Sequence, residues 1–556
     1  MTNRMKTLLV GWDAACWEYL QPLLDADRLP VLSGLISSGV SGSLRSTMPP
    51  WTPTAWATLI TGRDPDGHGV FDMLRRTQTG GQLQPINASS RTGEPFWKHL
   101  NRSGIRTGLV NVPFIYPLEP LDGFAVCGFG TPNTATDIAY PESAAALLAA
   151  DYPDFLPEVD AKLLGSGQAD EIFKAERRQQ ARFVEIAVKL ADRIPVDLLV
   201  INLMFPDHAN HKMPDMDRVR QAYEHTDTDL ARLIDAFRPD SIVLISDHGS
   251  NRSKGDFWLG AWLRDAGYLI ETSSTQAMQA DRINWFLTDR DREGRGRGGP
   301  VERGVRRLRK EALLRASGWL EALLWDRIER DFPRLRESIR LSGKPDIRRS
   351  LVIPGSAYAG LLYLNREALA GWDAAETAQE LRESLLRITT PDSGEPLFSN
   401  IYLGEELSSG RAAGRAPDLI LDAYDSGWII RTARYTSHPG RPEEGYFYSR
   451  ASNRDFGWHT RDGIYIFNGM PFCRIAPAGH AHIADIPATL LHTLGLPVPG
   501  EYDGRVLLDT LSDALLSAPV QLLPVVTDAE EPAQVEFSEA DAEKLIQQLK
   551  ALGYLD

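Results

Sequence analysis

The stretch "DLLVINLMFPDHANH", residues 197–211, is an apolar run that ends in acidic and imidazole side chains. An apolar run of this length is typical of a buried strand, and Asp207 follows where that strand should end. Four similar runs are "TLLVGWD" (7–13), "RTGLVNVP" (106–113), "SIVLISDHG" (241–249) and "GIYIFNG" (463–469). Because helical patterns lie between the runs, the sequence predicts an α/β fold whose mostly parallel sheet is sandwiched by helices.

Polar side chains follow four of these apolar runs. They are Asp13, Asn111, Asp207 and Asp247. In open α/β sheets, ligands bind in the crevice outside the carboxyl ends of the strands. We therefore expect these four side chains to face one crevice.

The composition excludes several classes of protein. The 556 residues carry a formal net charge of −15, which argues against general affinity for nucleic acid or anionic membrane. Three widely separated cysteines suit a reducing compartment and form neither a disulfide framework nor a thiolate metal site. The N-terminal stretch resembles no signal peptide, and no run is long enough to span a bilayer. The sequence therefore predicts a cytoplasmic protein.

One segment interrupts the pattern of apolar runs. Residues 281–350 contain 19 Lys and Arg against 12 Asp and Glu, and part of this stretch is typical of an amphipathic helix. It is interpreted as a solvated helical cap, with a lid over an anionic substrate or a face for a lipid surface or partner as alternatives. The predicted units are a first core part (1–271), the helical basic insertion (272–349), a second core part (350–510), and a linker with a C-terminal helix (511–556).

The C-terminal stretch "FSEADAEKLIQQLKALGYLD", residues 537–556, has apolar residues at helical spacing. Ser538 precedes the periodic stretch, where a serine side chain caps a helix N-terminus. We expect this helix to dock on the core.

The stretch "PPWTPTAWATLITGRDPDGHG", residues 49–69, poses a question about Thr52. As a helix cap, Thr52 would accept a backbone N–H, Pro53 would take the first position and Gly62 would end the helix. The same hydroxyl would also lie at the positive end of a helix dipole, which stabilises an attacking alkoxide or a transferred phosphate. The residues alone leave both roles open.

Candidate metal ligands cluster in three short motifs. "FPDHANH" places Asp207 and His211 four residues apart, "SDHG" contains Asp247 and His248, and "FGWHTRDG" contains His459. Each motif by itself is typical of surface or supporting structure. Together they offer the oxygen and nitrogen ligands that zinc and related divalent ions accept.

The order of these motifs, from the strand ending in Asp13 to "DIPATLLHTLGLPVP" (485–499), resembles the alkaline phosphatase superfamily. The resemblance is to its type I phosphodiesterase/nucleotide pyrophosphatase branch and to related bacterial phosphohydrolases and phosphomutases. It covers most of the chain outside the basic insertion. It implies an alkaline phosphatase-like core and an enzyme that hydrolyses small-molecule phosphoesters.

The resemblance also implies a site for two divalent metal ions, with zinc expected and manganese as the alternative. Asp207, His211 and His459 correspond to the ligands of one ion. Asp13, Asp247 and His248 correspond to those of the other. Thr52 would bridge toward both ions and act as the nucleophile, forming a covalent phospho-threonine intermediate.

The chain departs from the family pattern after the "HG" turn, where an Asn usually contacts the phosphoryl group. Asp72 lies near that place here. Asn111 and Lys212 are candidate replacements as substrate-binding residues, and Asn111 is preferred because it ends a strand at the same edge. The alternative role for Asn111 is to cap a loop. His68 is interpreted as a structural turn residue and, with His480 and His482, stays outside the ligand set.

The same core also serves other functions in the superfamily. A sulfatase is disfavoured, because "WTPTA" has Thr in place of the Cys or Ser that would become formylglycine and no Arg follows it. A phosphomutase, a phosphomonoesterase and a non-enzymatic phosphate-ligand or partner-binding protein stay as alternatives. Aromatic residues near the motifs favour a diester or pyrophosphate, because a second substituent needs an apolar slot. These residues are Trp12, Trp51, Trp56, Phe71 and Tyr116.

Overall fold

The computed structural model describes residues 4–76, 83–270, 346, 348–355, 360–407, 416–432, 445–449, 457–473, 480–525 and 535–555. Almost all of the predicted basic insertion and its amphipathic helix lie outside the described residues, as do residues 526–534 of the predicted linker "PVVTDAEEPAQ" (524–534). The domain boundaries at 271, 349 and 510 stay predictions.

The strands within the described residues are short. They are β1 (Thr7–Trp12), β2 (Val40–Arg45), β3 (Leu74–Arg76), β4 (Leu83–Pro85), β5 (Thr107–Val110), β6 (Gly123–Val126), β7 (Ala139–Tyr140), β8 (Leu198–Leu203), β9 (Ser241–Ile245), β10 (Gly249–Arg252), β11 (Gly255–Phe257), β12 (Val352–Pro354), β13 (Leu361–Leu364), β14 (Asn400–Leu403), β15 (Leu419–Asp422), β16 (Trp428–Ile430), β17 (Phe447–Ser449), β18 (Gly457–Thr460), β19 (Asp462–Gly469) and β20 (Ala481–His482).

The helices vary more in length. They are α1 (Trp17–Asp25), α2 (Pro30–Ser38), α3 (Thr52–Thr61), α4 (Pro65–His68), α5 (Phe96–Arg102), α6 (Glu142–Asp151), α7 (Ala161–Leu164), α8 (Ala169–Arg193), α9 (Phe205–Lys212), α10 (Met216–Phe237), α11 (Leu259–Asp265), α12 (Ala374–Leu386), α13 (Gly404–Leu407), α14 (Asp485–Thr493), α15 (Asp513–Leu516) and α16 (Glu539–Leu552). Short 3₁₀ turns lie at Ala88–Ser90, Tyr424–Ser426 and Leu508–Thr510.

Within the described residues, nine strands form the main sheet in the order β20-β2-β19-β9-β1-β8-β5-β6-β7. The central strands β9, β1, β8, β5 and β6 run parallel to one another, whereas β19 runs antiparallel between β9 and β2, and β7 runs antiparallel to β6. All five apolar runs of the sequence form strands of this sheet. The predicted mostly parallel α/β fold is therefore confirmed.

Helices cover both faces of the main sheet. Successive residues of β1 point to opposite faces, so Leu8 and Val10 join one hydrophobic cluster and Leu9 joins the other. The first cluster packs under α1, α2, α8, α9 and α10, and the second under α3, α5 and α14. Burial of each such side chain stabilises the fold by about 1.5–3 kcal/mol, which is why both faces of the central strands are apolar.

Residues after the basic insertion form a smaller layer with a hydrophobic cluster of its own. Its four-stranded sheet has the order β12-β13-β15-β14 and packs with α11 and α12. The chain then returns to the main sheet and adds strands β19 and β20 to it.

The predicted C-terminal helix is confirmed as α16. Ser538 caps it by accepting a hydrogen bond from the Asp541 N–H, and Leu545, Leu549 and Leu552 pack into the first hydrophobic cluster. Among the helices that the structure describes, none is both long and apolar enough to cross a membrane.

Candidate metal centre

Three carboxylates converge at the carboxyl ends of adjacent parallel strands. Asp13 follows β1, Asp247 follows β9, and Asp207 lies in the first turn of α9 after β8. The strands are neighbours in the order β9-β1-β8, so the residues that leave them meet at one edge. All three carboxylates are buried, with at most 1% of each residue exposed. The structure thus brings together three of the four side chains expected to share a crevice.

Asp13 and Asp247 are each held by one oxygen. The side-chain amide of Asn202 donates to Asp13 Oδ2 at 2.9 Å, and the Ala14 N–H donates to Asp247 Oδ1 at 3.4 Å. The remaining oxygens, Asp13 Oδ1 and Asp247 Oδ2, are buried and accept no hydrogen bond from any residue that the structure describes. A buried carboxylate oxygen without a donor is costly unless a cation occupies its free side.

Asp207 follows the same pattern. The hydroxyl of Tyr554 donates to Asp207 Oδ2, while Oδ1 is buried and accepts no hydrogen bond. Asp207 Oδ1 lies 3.4 Å from His211 Nε2 and 3.7 Å from His459 Nε2. The two ring nitrogens are 2.9 Å apart. These three atoms form a compact triangle of donor atoms, the arrangement that a divalent ion requires.

A second group of donor atoms forms around His248. Its Nε2 lies 3.7 Å from Asp13 Oδ1 and 3.4 Å from Asp247 Oδ2, the two carboxylate oxygens without a donor. The potential ligand atoms of Asp13, Asp247 and His248 lie within 4.8 Å of one another. The potential ligand atoms of Asp207, His248 and His459 also lie within 4.8 Å of one another. His248 therefore joins the donor atoms around Asp13 to those around Asp207.

Backbone carbonyls orient two of the histidine rings. His459 Nδ1 lies 3.0 Å from the carbonyl of Pro50, and His248 Nδ1 lies 3.1 Å from that of Gly249. Donation from Nδ1 leaves Nε2 free to bind a metal, as in most histidine metal ligands. The rings stack with centroids 3.7 Å apart, because β10, which follows His248, pairs antiparallel with β18, which contains His459.

Burial and neighbouring charges perturb the ionisation of the clustered groups. Burial, together with the negative charges of Asp247 and Asp207, raises the pKa of Asp13 well above its usual value, and burial also raises the pKa of Asp247. Burial opposes ionisation of Asp207 too, but the neighbouring His211 and His459 hold its pKa below the usual range. Burial lowers the pKa of His459, which favours the neutral ring. Anionic carboxylates and neutral imidazoles fit divalent metal ions.

The hydroxyl of Thr52 faces this cluster. Its Oγ1 lies 3.2 Å from His248 Nε2, and the residue is fully buried. The predicted cap role is wrong, because α3 begins at Thr52 itself, Trp51 occupies the cap position and no side chain makes a capping hydrogen bond. The predicted helix end is confirmed, since Gly62 adopts the left-handed conformation with φ 68°. The Thr52 hydroxyl is thus left available to the cluster.

Asn111 and Lys212 have structural partners. Asn111 follows β5, where its amide donates to the Asn202 carbonyl at 2.9 Å and accepts from the Phe129 N–H at 3.0 Å. The Lys212 ammonium donates to the carbonyl of Ala551 at the end of α16. Neither residue makes a hydrogen bond to the carboxylate cluster among the contacts of the described residues. Their role in binding substrate stays a prediction.

Two of the histidines left outside the ligand set, His68 and His482, have contacts elsewhere. His68 Nε2 is 2.9 Å from Thr58 Oγ1 and its Nδ1 accepts from the Val70 N–H, which is a turn-ordering role. His482 lies in β20 at the edge of the main sheet, 3.8 Å from Asp64.

The aromatic residues singled out in the sequence are mostly core. Trp12, Trp56 and Phe71 belong to the two hydrophobic clusters. Trp51 is also buried, and its ring lies 5.1 Å from that of His459. Tyr116 stacks on Phe537. Among the ring contacts of the described residues, Trp51 is the one of these five that packs on a donor residue.

Two residues of the site escaped the sequence analysis. Asn202 is a lone polar residue inside the apolar run of β8, and that interruption is a signal that could have singled it out. Tyr554 follows α16 at a distance of 347 positions from Asp207, and nothing in its local sequence points to the site.

Comparison with known proteins gives one family match. A family model described as type I phosphodiesterase/nucleotide pyrophosphatase matches residues 7–321. A comparison with curated protein sequences finds no match.

Solved structures share the fold. Phosphonoacetate hydrolase from Sinorhizobium meliloti 1021 superposes with a TM-score of 0.52, both in complex with phosphonoacetate (15% identity) and in complex with phosphonoformate (16% identity). Each match covers 88% of this chain and 95% of the hydrolase chain. Inactive murine ectonucleotide pyrophosphatase/phosphodiesterase 5 in complex with AMP gives a TM-score of 0.48 at 13% identity, covering 89% of this chain and 96% of that one. At these identities the hydrolase structures support a common fold.

Proposed function

The chain belongs to the type I phosphodiesterase/nucleotide pyrophosphatase family of the alkaline phosphatase superfamily, whose members are phosphoester hydrolases. We propose that it cleaves phosphodiesters or pyrophosphates through Thr52 at a site for two divalent ions. The observation that carries the proposal is the set of three buried carboxylates, each with one oxygen held by a protein donor and the other facing histidine Nε2 atoms.

The donor geometry supports a division of the ligands between two ions. Asp207, His211 and His459 are assigned to one ion, whose donor atoms lie 2.9–3.7 Å apart. Asp13, Asp247 and His248 are assigned to the other, and the Thr52 hydroxyl adjoins both sets through His248. Zinc suits this mixture of imidazole and carboxylate, and manganese is the alternative.

When bound, such ions lower the pKa of an adjacent hydroxyl and offset charge on phosphoryl oxygens. Thr52 Oγ1 attacks phosphorus, so the Oγ1–P bond forms while the bond from phosphorus to the leaving oxygen breaks, and the proton that Oγ1 loses passes to the leaving oxygen. Water then attacks the phosphorus of the phospho-threonine, which still carries the second substituent of the diester. The Oγ1–P bond breaks, one proton of the water passes to Thr52 Oγ1, and the phosphate product leaves. Because Thr52 is rigidly held at the first position of α3, its hydroxyl is oriented before substrate arrives.

The charges around Thr52 favour a diester over a monoester. Among the residues that the structure describes, no Lys or Arg forms an ion pair with the six assigned ligands. A dianionic terminal phosphate needs cationic groups beyond the ions, whereas a diester carries a single charge. Arg461 is close to the ligand His459 in the sequence, but its guanidinium forms an ion pair with Asp422 at 2.8 Å.

The proposal is tested by turnover of bis(p-nitrophenyl) phosphate, p-nitrophenyl phosphate and p-nitrophenyl sulfate, with metal content measured on the same samples. Thr52→Ala should lose diester hydrolysis by a factor on the order of 10³ or more while keeping both ions. Thr61→Ala is the matched control, because Thr61 is a buried threonine at the other end of α3 whose hydroxyl bonds the Ala57 carbonyl.

The outcomes separate the alternatives. Full diester activity in Thr52→Ala contradicts the nucleophile. Monoester hydrolysis that exceeds diester hydrolysis favours a phosphomonoesterase. An enzyme that holds two ions, cleaves no ester and transfers phosphate between sugar phosphates is a mutase. A protein that does none of these yet binds phosphate esters is a binding protein on an inactive core.

A further inference from the structure

Residues 535–555, here named the C-terminal arm, cross the surface beside the metal centre. The arm starts at Val535, whose carbonyl accepts from the Asn87 side chain at 2.7 Å and whose N–H donates to Ser89 Oγ at 2.8 Å. Phe537 then stacks on Tyr116 with centroids 6.1 Å apart and planes 6° apart. These contacts hold the entry of the arm on the loop before α5 and on the one after β5.

The helix of the arm, α16, is held to the core by polar contacts as well as by its apolar face. The side chain of Gln548 is fully buried, donates to the Thr131 carbonyl at 3.1 Å and accepts from the Asn133 N–H at 2.9 Å. Lys212, at the end of α9, donates to the Ala551 carbonyl. The arm is thereby attached to the helix that contains Asp207 and His211.

A glycine turn directs the end of the arm toward the ligands. Gly553 adopts the left-handed conformation with φ 100°, and the Tyr554 N–H returns to the Leu549 carbonyl at 3.0 Å. This turn ends α16 and fixes the backbone of Tyr554. The Tyr554 ring is 1% exposed and lies with its centroid 4.9 Å from that of His211 and 5.4 Å from that of Phe129.

We propose that Tyr554 is a positioning residue of the metal centre: its hydroxyl holds Asp207 Oδ2 so that Oδ1 faces His211 and His459. The inference rests on the ligand assignment of the proposed function. It extends the site to a segment that lies outside the residues matched by the family model. Tyr554 is not one of the assigned ligands, and it acts through Asp207.

The Tyr554 hydroxyl orients a carboxylate, a role that the packing of the tyrosine ring does not supply, and the other two carboxylates of the site are oriented in the same way. Asp13 is held through one oxygen by Asn202, and Asp247 through one oxygen by the Ala14 N–H. A carboxylate that lacks such a donor rotates among several orientations, and it loses entropy when an ion binds. Residues that orient metal ligands in this way typically contribute about 10- to 100-fold to metal affinity.

The test is Tyr554→Phe in the full chain, which removes the hydroxyl and keeps the ring. Zinc titration of chelator-treated protein by isothermal calorimetry should resolve two binding steps in the wild type. In the variant, one step should weaken by about 10- to 100-fold and the other should be unchanged. The turnover number should fall at zinc concentrations that saturate the wild type, whereas KM for bis(p-nitrophenyl) phosphate should change little.

Tyr502→Phe is the matched control. Within the described residues, the Tyr502 hydroxyl is buried and has no hydrogen-bond partner, and its ring packs on Gly62 at the end of α3 remote from Thr52. This control should leave both zinc affinities unchanged. Ion-free Tyr554→Phe should melt modestly below the wild type, because Asp207 Oδ2 loses its donor. Zinc affinity per folded molecule separates the two roles, because a purely structural role of the hydroxyl would leave it unchanged.

Asn202→Ala is the companion variant, since it removes the donor to Asp13 and should weaken the other zinc step. If the wild type binds two ions and Tyr554→Phe binds both with unchanged affinity, the role of Tyr554 is refuted. If ion-free Tyr554→Phe melts far below the wild type and zinc affinity per folded molecule is unchanged, the hydroxyl is structural and the inference also fails. If the wild type binds no ion, or both variants weaken the same step, the ligand assignment of the proposed function fails instead.

Discussion

Gly11→Ala connects the packing of β1 with the metal centre. Gly11 lies opposite Asn202 in the register of β1 and β8. A Cβ at this position would lie 2.4 Å from Asn202 Oδ1 and 2.6 Å from Trp56 Cζ2. Carbon atoms do not approach other heavy atoms so closely, so either the Asn202 amide or the Trp56 ring must move. Both are buried in a packed core, and overpacking of this kind costs about 1–3 kcal/mol.

The displacement of Asn202 has a second consequence. Its amide holds Asp13 Oδ2, so Gly11→Ala should weaken the zinc step assigned to Asp13 by about tenfold or more. Urea unfolding of the ion-free protein measures the first effect, and zinc calorimetry measures the second.

Gly34→Ala provides the matched control for this prediction. Gly34 lies in α2, and a Cβ there would meet no heavy atom within 4 Å. Alanine should stabilise the protein by about 0.4–1 kcal/mol, through lower entropy of the unfolded chain, with no change in zinc binding. A Gly11→Ala protein with the stability and both zinc affinities of the wild type would refute the reasoning.

Three further predictions concern the ions, His68 and α16. Removing the ions with a chelator should lower Tm, because the buried carboxylates lose the positive charge that offsets their own charge, and adding zinc should restore Tm. A calorimetric Tm that changes with neither the chelator nor zinc contradicts the metal centre. Burial lowers the pKa of His68 to about 3, so its stabilising contribution is present above the unfolded pKa of about 6.5 and is lost as the pH falls. Between pH 7 and pH 5 the wild type should therefore lose about 2 kcal/mol more than His68→Gln in urea unfolding, and equal losses would rule this out. Ser538→Ala removes the cap of α16 and should cost about 1 kcal/mol in the same assay. Ser517→Ala is the unchanged reference, because Ser517 is an exposed serine that caps no helix N-terminus and whose hydroxyl donates to the Asp513 carbonyl.

The strands and most of the candidate ligands were predictable from local sequence. A central parallel strand is covered on both faces, so its sequence is a continuous apolar run. The first polar residue after the run shows where the strand ends. The polar residues at those ends include Asp13, Asp207 and Asp247, and the rule that ligands bind there needs no knowledge of the helices. His211 is equally local, because residues four apart lie on one face of a helix.

Other features depend on contacts between distant segments. The cap role predicted for Thr52 is wrong because the chain before it is extended through Trp51, and the helix starts one residue earlier than a cap at Thr52 requires. His459 reaches the site through the pairing of β10 with β18. Its motif could be recognised in the sequence, but its distance from His248 could not be calculated from it.

The sequence by itself determined the class of fold, the strands that compose the main sheet and the residue types available at its edge, because periodicity and strand ends are local properties of the chain. Only the tertiary structure decided which oxygen of each carboxylate is free, since that depends on donors such as Asn202, Ala14 and Tyr554. Tyr554 is the clearest case, because it is 347 positions from Asp207 along the chain. Its hydroxyl reaches the carboxylate only after α16 has packed against the core.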